Sequence, residues 1–298
     1  MQLTKDKVTE IFYLADEFCQ EFSKKFDQHL IGAKPRKTPR MSDSEVIAIL
    51  IFFHFGTFRN LKHFYLYYVQ KHMQDEFPKT VSYNRFVELS QRVCMPMTLF
   101  LKTCCLGDCT GISFVDSTPV RVCKNKRITR NKVFKGIATT GKSTMGWFYG
   151  FKLHLIINDK GEILNFVITQ ANVDDRDPLK NQKFVSKIKG KLYADKGYIG
   201  KNLTELLFID GLHLITSIRN NMKNVLMELK DKILLRKRSV IETVNDELKN
   251  MCQIEHSRHR SFNGFISNTI AALIAYSFFS KKPAIKFKEE ISDQIILF

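Results

Sequence analysis

The apolar residues of this chain change their spacing once, and that change limits the folds open to it. Before residue 105 they recur three or four positions apart, as in Val8, Ile11, Phe12, Leu14, Phe18, Phe22 and Phe26 within residues 8–30. That is the spacing of helices with a buried face. From residue 111 the runs are β-branched and aromatic, with turn residues between them. Gly111 to Val122, Phe148 to Ile157 and Glu162 to Gln170 read as three strands, the last two joined by the hairpin turn Asn158-Asp159-Lys160-Gly161. Asp177-Pro178 then reads as an N-cap followed by proline at the first helical position. Lys191 to Asp195 is a fourth strand, Leu203 to Phe208 a helix, Leu212 to Ile218 a fifth strand and Arg238 to Cys252 a long helix. Three meandering strands followed by alternating helices and strands make one mixed α/β sheet flanked by helices, not two separate domains.

The material for such a core is present: 298 residues, 25 of them Phe, with ordinary apolar and charged fractions that exclude a wholly disordered chain. Charge is less ordinary. Lys and Arg number 47 against 30 Asp and Glu, a surplus of +17 that calls for a polyanion, either nucleic acid or an anionic membrane surface. The longest apolar run, Val46 to Phe53, falls far short of the ~20 residues of a membrane span. Phe265 to Phe279 is interrupted by Ser267, Asn268 and Thr269, while Ile266, Ile270, Leu273 and Ile274 recur as one buried helix face. No apolar signal core opens the chain, so no membrane partner is expected. Seven Cys in no regular framework indicate a reduced, cytoplasmic setting. Cys104, Cys105, Cys109 and Cys123 cluster, but adjacent Cys fit a zinc site poorly and read as buried free thiols.

The sequence divides into residues 1–105, helical and DNA-binding in a helix-turn-helix-like manner; 106–282, the sheet; and 283–298, a tail. The first part holds the basic linker Lys34-Pro35-Arg36-Lys37-Thr38-Pro39-Arg40, the capping box Ser42 to Glu45, and a further helix start at Ser82.

Two Asp stand at strand ends. Ile112, Phe114 and Asp116 share one side of the first strand, and Tyr193 and Asp195 one side of the fourth, because side chains alternate with period two. Ligand sites of open α/β sheets gather at the carboxyl ends of strands. If these strands are parallel neighbours, their carboxylates meet and repel unless a cation such as Mg²⁺, a taker of oxygen ligands, lies between them. On the last helix, Arg238, Glu242, Asn245 and Lys249 share a narrow face beside the apolar stripe Ile241, Val244, Leu248 and Met251. Glu242, bracketed by two cations, is therefore the third acid; Asp246 lacks that bracket and Glu247 turns to the far side.

Phe114-Val115-Asp116-Ser117-Thr118, Tyr193-Ala194-Asp195-Lys196-Gly197-Tyr198 and Val240-Ile241-Glu242-Thr243-Val244 resemble the three blocks of DDE transposases from bacterial insertion sequences. The third block of that family often reads Tyr, two residues, Arg, three residues, Glu, six residues, Lys. Arg238, Glu242 and Lys249 keep this spacing, and Leu235 stands where the Tyr would be. Gly150-Phe151-Lys152-Leu153-His154-Leu155 and Thr169-Gln170-Ala171-Asn172 resemble the family's second and third strands. The resemblance covers about residues 111–280 and implies an RNase H-like mixed five-stranded sheet with a helical N-terminal region. Only residues 196–241, 46 in all, separate Asp195 from Glu242, too few for the large insertion domain of some relatives.

The resemblance implies that Asp116, Asp195 and Glu242 are catalytic and hold two Mg²⁺ ions, which Mn²⁺ can replace, for in-line phosphoryl transfer. The substrates would be double-stranded DNA, at terminal inverted repeats and at a target, with two copies of the chain joining two ends. Arg238, Lys249 and Lys196 would hold phosphates near the metals. Arg36, Lys37, Arg40, Arg127, Arg130 and Lys132 would grip duplex DNA from the linker and from a basic, mobile 124–142 loop. Asp174, Asp175 and Asp177 read as capping and solvated residues, and His154 as a satisfied sheet histidine. An RNase H-like nuclease or resolvase that only hydrolyses, and a non-catalytic DNA-binding regulator, are the competing readings.

Overall fold

Ser42 starts its helix as the capping box requires: the Glu45 amide donates to Ser42 Oγ at 3.1 Å and the Ser42 amide to Glu45 Oε2 at 2.6 Å. The computed structural model describes residues 4–27, 39–56, 58–218, 227–255 and 259–286. Its N-terminal third is helical, with α1 (Lys5–Asp27), α2 (Asp43–Phe55), the one-turn α3 (Leu61–His63) and α4 (Gln70–His72) joined by a π-helical turn, α5 (Tyr83–Arg92) and α6 (Cys94–Phe100). Ser82 caps α5 as its sequence indicates. Eleven of the thirteen residues of α2 are buried, so this helix runs through the core and offers no surface to DNA.

The sheet comprises β1 (Ile112–Cys123), β2 (Thr139–Ser143), β3 (Gly146–Asn158), β4 (Ile163–Gln170), β5 (Gly190–Ala194) and β6 (Leu212–Thr216). β1 pairs antiparallel with β3 and parallel with β5; β5 pairs parallel with β6, and β4 lies antiparallel on β3. Among the described residues six strands are present where five are expected. The extra one, β2, lies inside the span read as a mobile loop except for Ser143, and pairs with the start of β3. A Cβ at Gly141 would meet the Ala171 carbonyl oxygen at 2.1 Å, so the missing side chain is what lets this strand dock. Residues Asn125–Arg130 of the same span form a 3₁₀ helix. The hairpin between β3 and β4 follows the sequence: Asn158 Oδ1 accepts from the amides of Lys160 and Glu162, and Gly161 takes φ +74°.

Asp177 does not cap a helix. It begins a single 3₁₀ turn (Asp177–Lys180), its carboxylate is taken by Lys180, and the short α7 (Gln182–Val185) is capped by Asn181 instead. Then come α8 (Lys201–Ile209), α9 (Leu229–Arg236), α10 (Ser239–Asn250) and α11 (Phe262–Ser277). α11 is buried on eleven of its sixteen residues, including Ser267, Asn268 and Thr269, rather than on one face. The N-terminal helices α2, α5 and α6 cover the side that the sheet does not. One core therefore runs from Val8 through β1, β3 and α10 to Phe279, and Phe265 of α11 stacks on Phe151 of β3 at 4.9 Å. A smaller cluster, built on Leu164, Phe184, Leu192 and Leu207, covers the opposite face of the sheet. Burial on both faces accounts for the nearly continuous apolar character of β3. All seven cysteines are free; of the four that cluster, Cys104 is exposed and the other three are half-buried. Among the described residues no helix is long and apolar enough to cross a membrane.

Candidate active site

The β1–β5 pairing sets two acids in register. Its last pair is Phe114 with Tyr193, whose rings stack at 5.4 Å. Residues in register on parallel strands share a face, so two steps further Asp116 and Asp195 turn to this same side. Asp195 is the first residue beyond β5, and its extended backbone (φ −72°, ψ 167°) carries the alternation past the strand before Lys196–Tyr198 turn the chain. The pair thus stands at the carboxyl edge of the parallel strands, where ligand sites of α/β sheets form.

α10 crosses this edge. Ile241, Val244 and Leu248 are fully buried and fix its roll against the sheet, whereas Met251, the end of the expected stripe, lies past the helix and is exposed. That roll turns Arg238, Glu242 and Asn245 toward β1. Arg238 Nη2 lies 2.6 Å from Glu242 Oε1, and its Nη1 lies 3.9 Å from Asp116 Oδ1. Asn245 Nδ2 donates to the other oxygen, Asp116 Oδ2, at 3.0 Å. The guanidinium thus stands between two carboxylates from different elements, 126 positions apart in the chain (242 − 116). Asp195 lies on the same side by register, and among the described residues no three His, Cys, Asp or Glu groups gather closely enough to hold a metal ion.

Electrostatics single out Asp116. Burial raises its carboxyl from the usual 3.8 to about 6, with Arg238 and the Ser117 amide opposing the rise and Glu242 and Asp175 adding to it. Asp175 is not a solvated cap: its Oδ1 accepts from Ser117 Oγ at 2.8 Å and from Lys152 Nζ at 2.9 Å. Asp174 does behave as expected, gripped by Arg176 and held well below the carboxylate range by that hydrogen bond. Tyr198 is buried close enough to Asp116 and Asp175 for burial and both carboxylates to drive its phenol well upward. His154 is buried with Nε2 2.8 Å from Thr169 Oγ1, and burial lowers it to about 4, so it stays neutral.

This donor set suits a hard divalent cation. The acids supply oxygen ligands only, burial raises the proton affinity of Asp116, and Asn245 Oδ1 beside it is buried without a donor among the described residues. The sequence places Asn245 on the Glu242 face, three residues on, without giving it a role; the structure gives it one as a donor to Asp116. Of the proposed phosphate-holding residues, Arg238 is in the site, Lys196 directly follows Asp195, and Lys249 sits two turns along α10 from Glu242. Arg40, Arg127, Arg130 and Lys132 are exposed and apart from these contacts, whereas Arg36 and Lys37 lie outside the described residues.

These acids stand on a mixed α/β sheet flanked by helices. The model of the family described as transposase DDE domain matches residues 106–262, more than half of the chain, and the chain belongs to that family. Among solved structures it is similar to the piggyBac transposase synaptic complex with hairpin DNA, at 12% identity and a TM-score of 0.47 over 90% of this chain and 71% of that one. It is also similar to the Mos1 strand transfer complex, at 11% identity and a TM-score of 0.24 over 92% of this chain and 95% of that one. No curated protein matches the sequence.

Proposed function

We propose that this transposase nicks double-stranded DNA at terminal inverted repeats and joins the released 3′-OH to target DNA, using Asp116, Asp195 and Glu242. The observation that carries the reading is the meeting of Asp116 with Arg238, Glu242 and Asn245 at the edge where β1 and β5 run in register. Asp116, Asp195 and Glu242 would hold two Mg²⁺ ions, with Mn²⁺ able to replace them. When bound, such ions supply Lewis-acid charge for in-line phosphoryl transfer. The side chains do the rest. Asn245 keeps one oxygen of Asp116 engaged and so orients the other. Arg238, with Lys196 and Lys249, draws a phosphate to the acids, and the buried surroundings of Asp116 strengthen every charge interaction made there.

Residues 1–105 and the exposed Arg127, Arg130 and Lys132 would grip the duplex, with residues 106–282 as the catalytic domain. A homodimer would bring two ends together in the cytoplasm, on the nucleoid. The test uses labelled duplex ends and Mg²⁺. D116N, D195N and E242Q should each lower nicking by about 10²–10³-fold or more while leaving DNA binding intact. Pre-nicked ends should yield joined product with wild-type protein. Cleavage without joining would instead mark a nuclease or resolvase, and binding without cleavage a regulator.

A further inference from the structure

α9 is a short helix with a small buried face. Of its eight residues only Asp231 and Leu234 are buried, so half of its anchorage is a carboxylate that is 7% exposed. A charge in such a place is costly unless both oxygens are engaged. Here they are. Asp231 Oδ1 accepts from the Tyr193 hydroxyl at 2.7 Å and from Lys191 Nζ at 2.9 Å, and Oδ2 accepts from the same ammonium at 3.0 Å. Burial alone would raise the Asp231 carboxyl. The bonds from Lys191 and Tyr193 outweigh it and hold the group below its usual 3.8, so it is charged at neutral pH.

The places of these two donors on β5 give the contact its meaning. Side chains alternate along a strand, so Lys191, Tyr193 and Asp195 fall on one side of β5 and its extension. Asp231 therefore grips the two residues that precede Asp195 on its own face. Tyr193 carries the contact on to β1, since its ring stacks on Phe114, two residues before Asp116. The other end of the tie is the helix itself. α9 runs into α10 with its backbone bonding unbroken: Lys237 N donates to the Ile233 carbonyl at 3.0 Å, Arg238 N to Leu235 at 3.4 Å and Ile241 N to Arg238 at 3.0 Å. Arg238 and Glu242 thus follow Asp231 by about two and three helical turns on one continuous path. Apolar packing is non-directional and would let that path slide over the sheet, whereas three bonds to one carboxylate fix its place along β5.

Resting on the proposed action on DNA, we propose that Asp231 is a positioning residue that sets how far Asp116 and Asp195 stand from Glu242. In this role it touches neither DNA nor a metal ion. It links the three elements that carry the acids, and a displacement of about 1 Å between them is enough to cost on the order of a hundredfold in rate.

Two variants test the tie. Y193F removes one of the three bonds and leaves the ring stacked on Phe114, and D231N removes the charge. V185A is the control, because Val185 is buried in the cluster on the opposite face of the sheet and its truncation weakens the fold without touching the tie. Thermal melts of the metal-free proteins fix a temperature at which all of them are folded. At that temperature and with saturating labelled duplex ends, nicking by Y193F and D231N should fall about tenfold or more, with Mn²⁺ affinity by electron paramagnetic resonance weakening alongside and duplex Kd unchanged. V185A should nick as the wild type does. Wild-type nicking and Mn²⁺ affinity in Y193F and D231N, or an equal loss in V185A, overturns the positioning role and leaves the reading of DNA cleavage intact. If D231N does not fold, Y193F alone decides between these outcomes. Absence of nicking by the wild-type protein overturns both.

Discussion

Replacing Asp116 by Asn should make the metal-free protein more stable at neutral pH, although it removes the central acid of the site. Burial lifts this carboxyl from 3.8 to about 6, so the folded state holds its proton more tightly than the unfolded chain does. The sign follows. Below pH 3.8 the group is neutral in both states and costs nothing. As pH rises from 3.8 to 6 the unfolded chain ionises first, and stability is lost. The rise from 3.8 to about 6 corresponds to about 3 kcal/mol at pH 7–8, roughly half of that at pH 5 and little at pH 4. About a quarter of the side chain reaches solvent, and screening brings the plateau toward ~2 kcal/mol. Asn is neutral at every pH and keeps the shape, so D116N should gain that amount. For a chain of this size the gain corresponds to a rise in Tm of roughly 3 °C at pH 8, shrinking to well under a degree near pH 4. Thermal melts of chelator-treated protein across this range measure the difference at each pH, so titration of other groups cancels. Added Mg²⁺ should then stabilise the wild type and not the variant. No gain at pH 8, or the same gain at pH 8 and pH 4, would refute the electrostatic reasoning.

Arg238→Gln removes the cation nearest Asp116 and Glu242, so its metal-free Tm should fall at pH 8 and change little near pH 4, and its nicking rate should drop by at least tenfold in end-labelled DNA assays. Asn245→Ala leaves Asp116 Oδ2 without its 3.0 Å amide partner; Mn²⁺ affinity, followed by electron paramagnetic resonance, should weaken while duplex binding holds. Gly161→Ala forces a left-handed residue and a Cβ 2.0 Å from the Pro283 carbonyl oxygen, which should destabilise the fold by about 1–3 kcal/mol in denaturant titrations. His54, His154 and His259 are each lowered to about 4 by burial, so stability should be lost as pH falls from 6.5 toward 4, and far-ultraviolet circular dichroism should place acid unfolding within that window.

The strands and the acids were legible to different degrees, for physical reasons. The β3–β4 hairpin can be read directly, because Asn158 and Gly161 carry the turn within their own side chain and backbone. The capping box at Ser42 is equally local. β2 cannot be read this way: Thr-Thr-Gly-Lys-Ser has no apolar alternation, and only pairing with β3 and the bare Gly141 make it a strand. α11 shows the same limit, since its burial on nearly all sides depends on helices more than 150 residues earlier. In the site, period two orients Asp116 and Asp195, and the 100° step orients Glu242. The contacts that give them electrostatic character are long-range. Nothing near Asp116 in sequence announces Asn245 or Arg238, and the acidic run at 174–177 conceals that Asp175 alone turns toward Ser117.

A chain with a surplus of +17 gains phosphate affinity from every base, so acids gathered at one point work against it unless something offsets them. The side chains show how far the protein does so unaided. Asp116 and Glu242 carry two negative charges and Arg238 returns one. Asp195, on the same side by register, adds another, so the three acids outnumber Arg238 by two. Burial raises the proton affinity of Asp116, and Glu242 adds to the rise while Arg238 opposes it. Further lysines would have balanced the count at no cost in DNA affinity, yet the face of α10 between Arg238 and Lys249 presents Glu242 and the neutral Asn245 instead. A deficit of two charges, faced only by oxygen ligands, is what a divalent cation cancels and a lysine does not. In this reading the basic surplus and the acidic site are parts of one device: the first holds the polyanion, and the second stays underbalanced so that metal ions complete it.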